Sequence, residues 1–195
     1  ADPIGAMLSP MVWTQVPHVL LSALVAIGGG IASIYAYAWL KGRRTEYNRA
    51  GLLVGAVMLG VSIPLQMVSG HLSTVKVYEK QPAKFAAAES VEVTGPNQPM
   101  RLPFGIEIPG LTSFLINFDT DTVVTGMNDI PAADLPEKPE IVHLSFQAMV
   151  ATGMLSLAAA GLFWLSALLR RGARARLEIP KNRLVMLLLV LAGPA

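Results

Sequence analysis

Two sites in this 195-residue sequence carry side chains that could do chemistry. His18 lies just inside an uncharged apolar run that begins at Val16. An ionisable side chain in such a run is a candidate functional residue, and a neutral imidazole is a strong ligand for a metal such as haem iron. Lys84 and Glu89 lie five residues apart in an Ala-rich segment. A carboxylate can accept a proton as a general base, and an ammonium can donate hydrogen bonds to an oxygen.

The face of the helix that would carry His18 has two interpretations. His18 shares that face with four small residues, Ser22, Ala26, Gly29 and Ser33. The strip is smooth for about 16 Å at 1.5 Å per residue, so a flat macrocycle could lie against it. Small residues also allow two helices to pack closely without a cofactor, and the residues alone leave both interpretations open.

Residues 81–90 are expected to form a short helix, because Pro82 stands near its first turn and alanines follow. On this helix Lys84 and Glu89 would lie about 140° apart. That is poor geometry for a mutual ion pair, which prefers a spacing of four residues. The two side chains could straddle a ligand, or they could be solvated charges on an exposed helix.

The composition argues against a soluble enzyme. Charged residues make up 14% of the chain and hydrophobic residues 53%, with a mean hydropathy of +0.51, whereas a typical soluble domain is about 25% charged. The chain has no cysteine, which excludes disulfides, Cys-ligated iron–sulfur clusters and covalently attached c-type haem. The net charge of +2 is too weak to indicate nucleic-acid binding.

We expect an all-α fold, a polytopic bundle of transmembrane helices. Uncharged apolar runs cover residues 16–40, 50–70 and 141–169, and each reaches the roughly 20 residues that a spanning helix needs. A fourth run, residues 184–195, is too short to span and predicts a truncated helix. Since the first residue is not Met and no signal peptide is visible, we expect the chain to be a fragment.

The loop charges predict the orientation of these helices. The segments 41–49 and 170–183 each hold several lysines and arginines and a single glutamate, so both are expected to be cytoplasmic. Residues 1–15 carry no base, and residues 71–140 have a net charge of −5, so both are expected outside. His18 would then lie at the outer end of its helix, on the same side as the 70-residue loop.

A loop this long is commonly functional or disordered. Within it we expect a turn at residues 95–99, a surface helix over residues 104–118 and an extended acidic segment over residues 129–139. His71 and His143, at the two ends of the loop, are expected to form hydrogen bonds at the membrane interface. Gln66 and Gln147 are expected to bond across to other helices.

The segment Tyr78–Glu89, YEKQPAKFAAAE, closely resembles the quinol-loop signature of subunit I of cytochrome bd quinol oxidases. In that signature QPAK is followed by an apolar pair, a small residue and a glutamate. Other segments are similar to the fifth helix, the rest of the loop, helix seven and the start of helix eight: Pro17–Arg43, Ile106–Leu111, Gly126–Asp129, Ser145–Val150 and Leu191–Pro194. The resemblance covers essentially the whole chain, but only the middle of a nine-helix subunit, and the loop is of the short type.

The resemblance implies a quinol:oxygen oxidoreductase of the bacterial cytoplasmic (inner) membrane. Such an enzyme oxidises ubiquinol or menaquinol at the outer face, reduces dioxygen to water and pairs with a subunit II. His18 matches the axial ligand of the low-spin haem b. Lys84 and Glu89 match the catalytic loop residues, and with Gln81 they would bind quinol. The ligands of the high-spin haem b and of haem d would lie outside this chain, so the fragment alone is expected to be inactive.

Two features depart from the family pattern. His71 follows Gly70 where the family often has Asp, and Gln147 stands where some members have Arg. A non-enzymatic membrane subunit with an outer interaction loop is the alternative interpretation. A transporter fragment is disfavoured, because no predicted span contains Asp, Glu, Lys or Arg.

Overall fold

The computed structural model describes residues 3–102, 105–169, 179–180 and 182–193. Its helices are α1 (Pro3–Met7), α2 (Val12–Leu40), α3 (Glu46–Lys80), α4 (Pro82–Glu89), α5 (Leu111–Asn117), α6 (Pro139–Leu168) and α7 (Arg183–Leu191). Strands β1 (Met100–Leu102) and β2 (Ile106–Ile108) and a 3-10 helix, Met127–Asp129, lie between α4 and α6. The predicted helical fold class is confirmed. Most of the predicted basic segment 170–183 lies outside the described residues.

Helices α2, α3 and α6 are long and apolar enough to cross a membrane. They contain 29, 35 and 30 residues, and at 1.5 Å per residue even the shortest exceeds the roughly 30 Å of the hydrocarbon layer. Helix α3 continues beyond Gly70 to Lys80. The first part of the predicted outer loop is therefore helical.

The chain forms two compact units, one of residues 1–14 and 70–150 and the other of residues 15–69 and 151–195. In the second unit, parts of α2, α3, α6 and α7 enclose an apolar core that contains Ala32, Leu52, Leu59, Phe163 and Leu189.

Small residues let the helices of this unit approach closely. A Cβ placed on Gly55 of α3 would lie 2.4 Å from the backbone nitrogen of Ala32 on α2. Trp164 of α6 donates its indole N–H to the carbonyl of Ala56, at 2.9 Å. The Ser33 hydroxyl donates to the carbonyl of Val190 on α7, at 2.8 Å.

The first unit is built around α4. Phe85 of α4 is buried with Val91, Ile116 and Val124. The backbone groups of Gly95 and Val124 bond each other in both directions, at 3.1 and 3.0 Å. Strands β1 and β2 pair in antiparallel register, with Met100 opposite Ile108 and Arg101 opposite Glu107.

The predicted helix over residues 81–90 is confirmed as α4. The helix predicted over residues 104–118 is wrong in its first half, since residues 106–108 form β2 and Phe104 lies outside the described residues. Helix α5 starts only at Leu111, after Pro109 and a left-handed Gly110 with φ +69°. Ile106, Glu107 and Ile108 alternate apolar and polar as a strand does, and a strand partner is available at residues 100–102.

Close packing at Gly55 gives a direct test of the helix arrangement. We expect Gly55→Ala to destabilise the protein by about 1–3 kcal/mol, because its Cβ would overlap backbone atoms that no rotamer change can move. Gly30→Ala is the matched control, since a Cβ at Gly30 meets nothing within 4 Å. Thermal unfolding followed by circular dichroism in detergent measures both variants. Equal unfolding midpoints would contradict the packing of α2 on α3.

Candidate functional site

Helix α4 starts directly after α3 because the chain turns at Gln81. Pro82 has no N–H to continue the hydrogen-bond ladder, and Gln81 takes a non-helical φ of −139°. The N–H of Gln81 still donates to the Val77 carbonyl at 2.8 Å, and its own carbonyl accepts from Phe85 at 3.0 Å. At the other end Ser90 is left-handed, with φ +56°, and stops the helix. The QPAK segment is therefore the first turn of a short helix.

Glu89, the last residue of α4, is buried and only 4% exposed. Burial raises the pKa of its carboxyl group from 4.5 to about 7, and a hydrogen bond from the Thr112 hydroxyl, at 3.4 Å, opposes this shift. Desolvation disfavours the charged form of an acid, which explains the direction. A carboxyl group with this pKa can both take up and release a proton near neutral pH.

The backbone on both sides of Glu89 is held by side chains from other elements. His143 of α6 lies with Nδ1 2.7 Å from the Ala88 carbonyl. A carbonyl only accepts, so Nδ1 carries the hydrogen and donates it. The guanidinium of Arg101 on β1 donates to the Ser90 carbonyl, and Arg101 also pairs with Glu107 at 3.1 Å. The last carbonyls of an α-helix have no N–H donor within the helix. His143 and Arg101 supply donors to the carbonyls at the C-terminal end of α4.

Gln147 lies one helical turn after His143 on α6 and is also buried. Its amide donates to the carbonyl of Arg101 at 2.6 Å. His143 therefore forms the hydrogen bond expected of it, whereas the expectation that Gln147 bonds another helix is wrong, because its partner is strand β1. The spacing of these two polar residues, four apart in an apolar helix, is the sequence feature that could have predicted that both contact the same neighbouring segment.

Lys84 and Gln81 line a cavity of about 600 Å³. The remaining lining residues are Pro82, Ala83, Thr125, Asp129, Ile130, Pro131 and Asp134. This volume is within the usual range for small-molecule sites, about 300–1,000 Å³. Lys84 is exposed on this wall, whereas Glu89 is on the buried side of α4. The structure brings Lys84 and Gln81 together and keeps Glu89 out of the cavity lining.

His18 lies in the other unit, on α2, where it is half-buried. Its Nε2 is 3.3 Å from Nε2 of Gln66 on α3, so Gln66 bonds another helix as expected. Among the residues that the structure describes, the Nδ1 of His18 and the Oε1 of Gln66 are buried and have no hydrogen-bond partner. Unpaired buried polar atoms are rare in folded proteins, and a water molecule, an ion or a ligand can be the partner.

The strip of small residues below His18 divides into two parts. Gly29 packs on α7, since a Cβ there would lie 2.9 Å from the Ala192 carbonyl. Ser22 and Ala26 are exposed. Helix packing therefore explains the far part of the strip, and an open part of about 12 Å remains beside His18. A ring nitrogen that has no partner among the described residues and lies next to an open, smooth surface fits a residue that could hold haem iron.

Comparisons with known proteins agree on one family. The family model described as cytochrome bd terminal oxidase subunit I matches residues 1–195. A putative cytochrome bd menaquinol oxidase subunit I of Bacillus subtilis (strain 168) is 34% identical over 169 residues, which cover 79% of this chain and 38% of the relative. The bd oxidase structure from Geobacillus thermodenitrificans matches with a TM-score of 0.83 and 32% identity, covering 99% of this chain and 45% of that one. The present chain thus spans less than half the length of these relatives. It belongs to the cytochrome bd terminal oxidase subunit I family.

Proposed function

We propose that this chain is the quinol-oxidising part of a bd-type oxidase subunit I. Within the assembled oxidase, with subunit II as its partner, it would take electrons from quinol and pass them through a low-spin haem b toward the site that reduces dioxygen to water. The buried Glu89 in the signature segment carries this proposal, because its pKa of about 7 suits proton uptake from a hydroxyl group. The name of the Bacillus relative supports menaquinol as the first substrate to test.

The charge pattern of the sequence supports an orientation for the proposed function. We place residues 71–140, with their net charge of −5, outside the bacterial inner membrane, and the basic segment 41–49 inside. Protons released on quinol oxidation would then leave on the outer side. The ligands of haem d and of the second haem b would come from parts of subunit I beyond this chain.

His18 is proposed to hold the low-spin haem b through one imidazole nitrogen. The unpartnered Nδ1 and the contact of Nε2 with Gln66 support this role, since a partner on the second nitrogen fixes ring orientation and tautomer in ligating histidines. When bound, the haem supplies one-electron transfer. The protein supplies ligation, orientation and the surrounding apolar medium.

Glu89 and Lys84 are proposed to have different roles in quinol oxidation. As two electrons leave the quinol for the haem, its two hydroxyl O–H bonds break. One proton would pass to a carboxylate oxygen of Glu89, and the other would pass to water on the outer side. Lys84, with Gln81, would orient the head group by donating hydrogen bonds to its oxygens in the cavity beside α4. Glu89 lies on the buried side of α4 and does not line this cavity, so a head group bound there would pass its proton to Glu89 through an intervening water molecule rather than by direct contact.

Replacing His18 tests the haem assignment. In His18→Ala we expect selective loss of the low-spin haem b bands, because the imidazole proposed to hold the haem is gone, while the other haem bands show that the oxidase has assembled. The measurement is the dithionite-reduced minus oxidised absorption spectrum of membranes. His71→Ala is the control, since His71 packs near Phe118, with ring centroids 5.7 Å apart, in the other unit. Retention of the bands in His18→Ala would overturn the assignment.

Replacing Glu89 tests the proton acceptor. In Glu89→Gln we expect kcat for quinol oxidation to fall about 10²-fold or more, because an amide cannot accept the proton, with haem content unchanged. In the wild type the rate should rise with pH and level off above about 7, since burial raises the pKa of Glu89 to about 7 and only the ionised carboxyl is a base.

Lys84→Gln is the contrasting variant for this test. It should raise KM for quinol more than it lowers kcat, because Lys84 lines the cavity and is proposed to bind rather than to take the proton. Wild-type turnover and an unchanged pH profile in Glu89→Gln would refute the acceptor role.

A further inference from the structure

The Glu89 carboxyl has one side-chain partner among the residues that the structure describes, the Thr112 hydroxyl of α5. Thr112 Oγ1 lies 3.4 Å from Glu89 Oε2 and 3.1 Å from the Pro99 carbonyl. Thr112 is 2% exposed and Glu89 is 4% exposed. Bulk water therefore does not compete for these bonds, and the hydroxyl stands between two acceptors.

The position of Thr112 is fixed by the backbone around it. Its N–H donates to the Gln98 carbonyl at 3.2 Å, and the Gln98 N–H donates to the neighbouring Ser113 hydroxyl at 2.9 Å. Ser113 is completely buried. These hydrogen bonds hold the first turn of α5 against residues 98–99. The Thr112 hydroxyl can still rotate about its C–O bond.

A hydroxyl has one hydrogen to donate and two lone pairs to accept with. An ionised Glu89 can only accept hydrogen bonds, and the Thr112 hydroxyl then donates its hydrogen to the carboxylate. A protonated Glu89 donates to Thr112 Oγ1, and the Thr112 hydrogen serves the Pro99 carbonyl. Both states of Glu89 are therefore hydrogen-bonded without any movement of the backbone.

We propose that Thr112 is a positioning residue for proton uptake by Glu89, whose hydroxyl turns between the Pro99 carbonyl and the Glu89 carboxylate as the acid loses and gains its proton. This inference rests on the proposed function, since it assumes that Glu89 is the proton acceptor. It assigns a role in the site to a residue outside the QPAK segment.

The charged and titratable groups near the end of α4 interact with groups other than the Glu89 carboxyl. Arg101 bonds the Ser90 carbonyl and pairs with Glu92 and Glu107, and His143 bonds the Ala88 carbonyl. Lys84 lies on the exposed side of α4. The group that faces the carboxyl itself is therefore neutral, and it acts through its hydrogen bond.

Removing the hydroxyl leaves an ionised Glu89 buried without a side-chain donor among the described residues, so we expect its pKa to rise. In the assembled oxidase, Thr112→Val should move the midpoint of the pH profile of quinol oxidation upward by about one pH unit, the usual size of one hydrogen bond to a charged group. Thr112→Ser keeps the hydroxyl and should restore the wild-type midpoint.

Two outcomes for Thr112→Val would overturn the inference. One is a Thr112→Val midpoint equal to that of the wild type. The other is a lower rate at every pH without a shift, which is what a packing role alone produces. If Thr112→Val lacks the haem bands, Thr112→Cys replaces it. Its S–H is a weaker donor, so a smaller upward shift is expected, and an unchanged midpoint or a second failure to assemble counts against the inference.

Glu89→Gln, measured in parallel, separates this inference from the proposed function. If Glu89→Gln loses turnover while Thr112→Val keeps the wild-type midpoint, the inference about Thr112 fails and the acceptor role stands. If Glu89→Gln keeps wild-type turnover and profile, the acceptor role fails and the inference fails with it. A shift in Thr112→Val with loss of turnover in Glu89→Gln supports both.

Discussion

The burial of one carboxyl group, that of Glu89, is the constraint on which the segment between α3 and α6 depends. An ionised carboxylate out of water is costly unless it is bonded, and otherwise its pKa rises. Three elements meet this constraint at three consecutive residues. Helix α6 binds the carbonyl of residue 88, α5 binds the side chain of residue 89, and β1 binds the carbonyl of residue 90. The fold of the loop thus buries the Glu89 carboxyl group in an apolar environment, and this burial keeps the pKa of the group near neutrality.

A different constraint, the close approach of small residues, organises the unit that holds His18. Gly28 and Gly55 bring α2 and α3 together, and Gly29 lets α7 pack on α2. These contacts end before Ala26 and Ser22, which remain exposed. The same type of residue therefore serves helix packing in one part of α2 and leaves a smooth open surface beside the histidine in the other.

Local signals in the sequence predicted the long helices and α4, because span length, Pro82 and the alanine run act over a few residues. The 140° separation of Lys84 from Glu89 followed from helix geometry, but which of them is buried depends on Phe85 and its distant partners. The β1–β2 hairpin and Thr112 were not predicted, since both depend on contacts between segments. Gln66 was expected to bond another helix, but its partner, His18, depends on the packing of α2 against α3.

The protonation of Glu89 in the assembled oxidase is the most direct test of this account. An infrared pH titration would follow the C=O stretch of the protonated carboxyl group, identified as the band that is missing in Glu89→Gln. We predict a titration midpoint near 7. A midpoint near 4.5, the ordinary value for a glutamate, would mean that the carboxyl is solvated and would contradict the account.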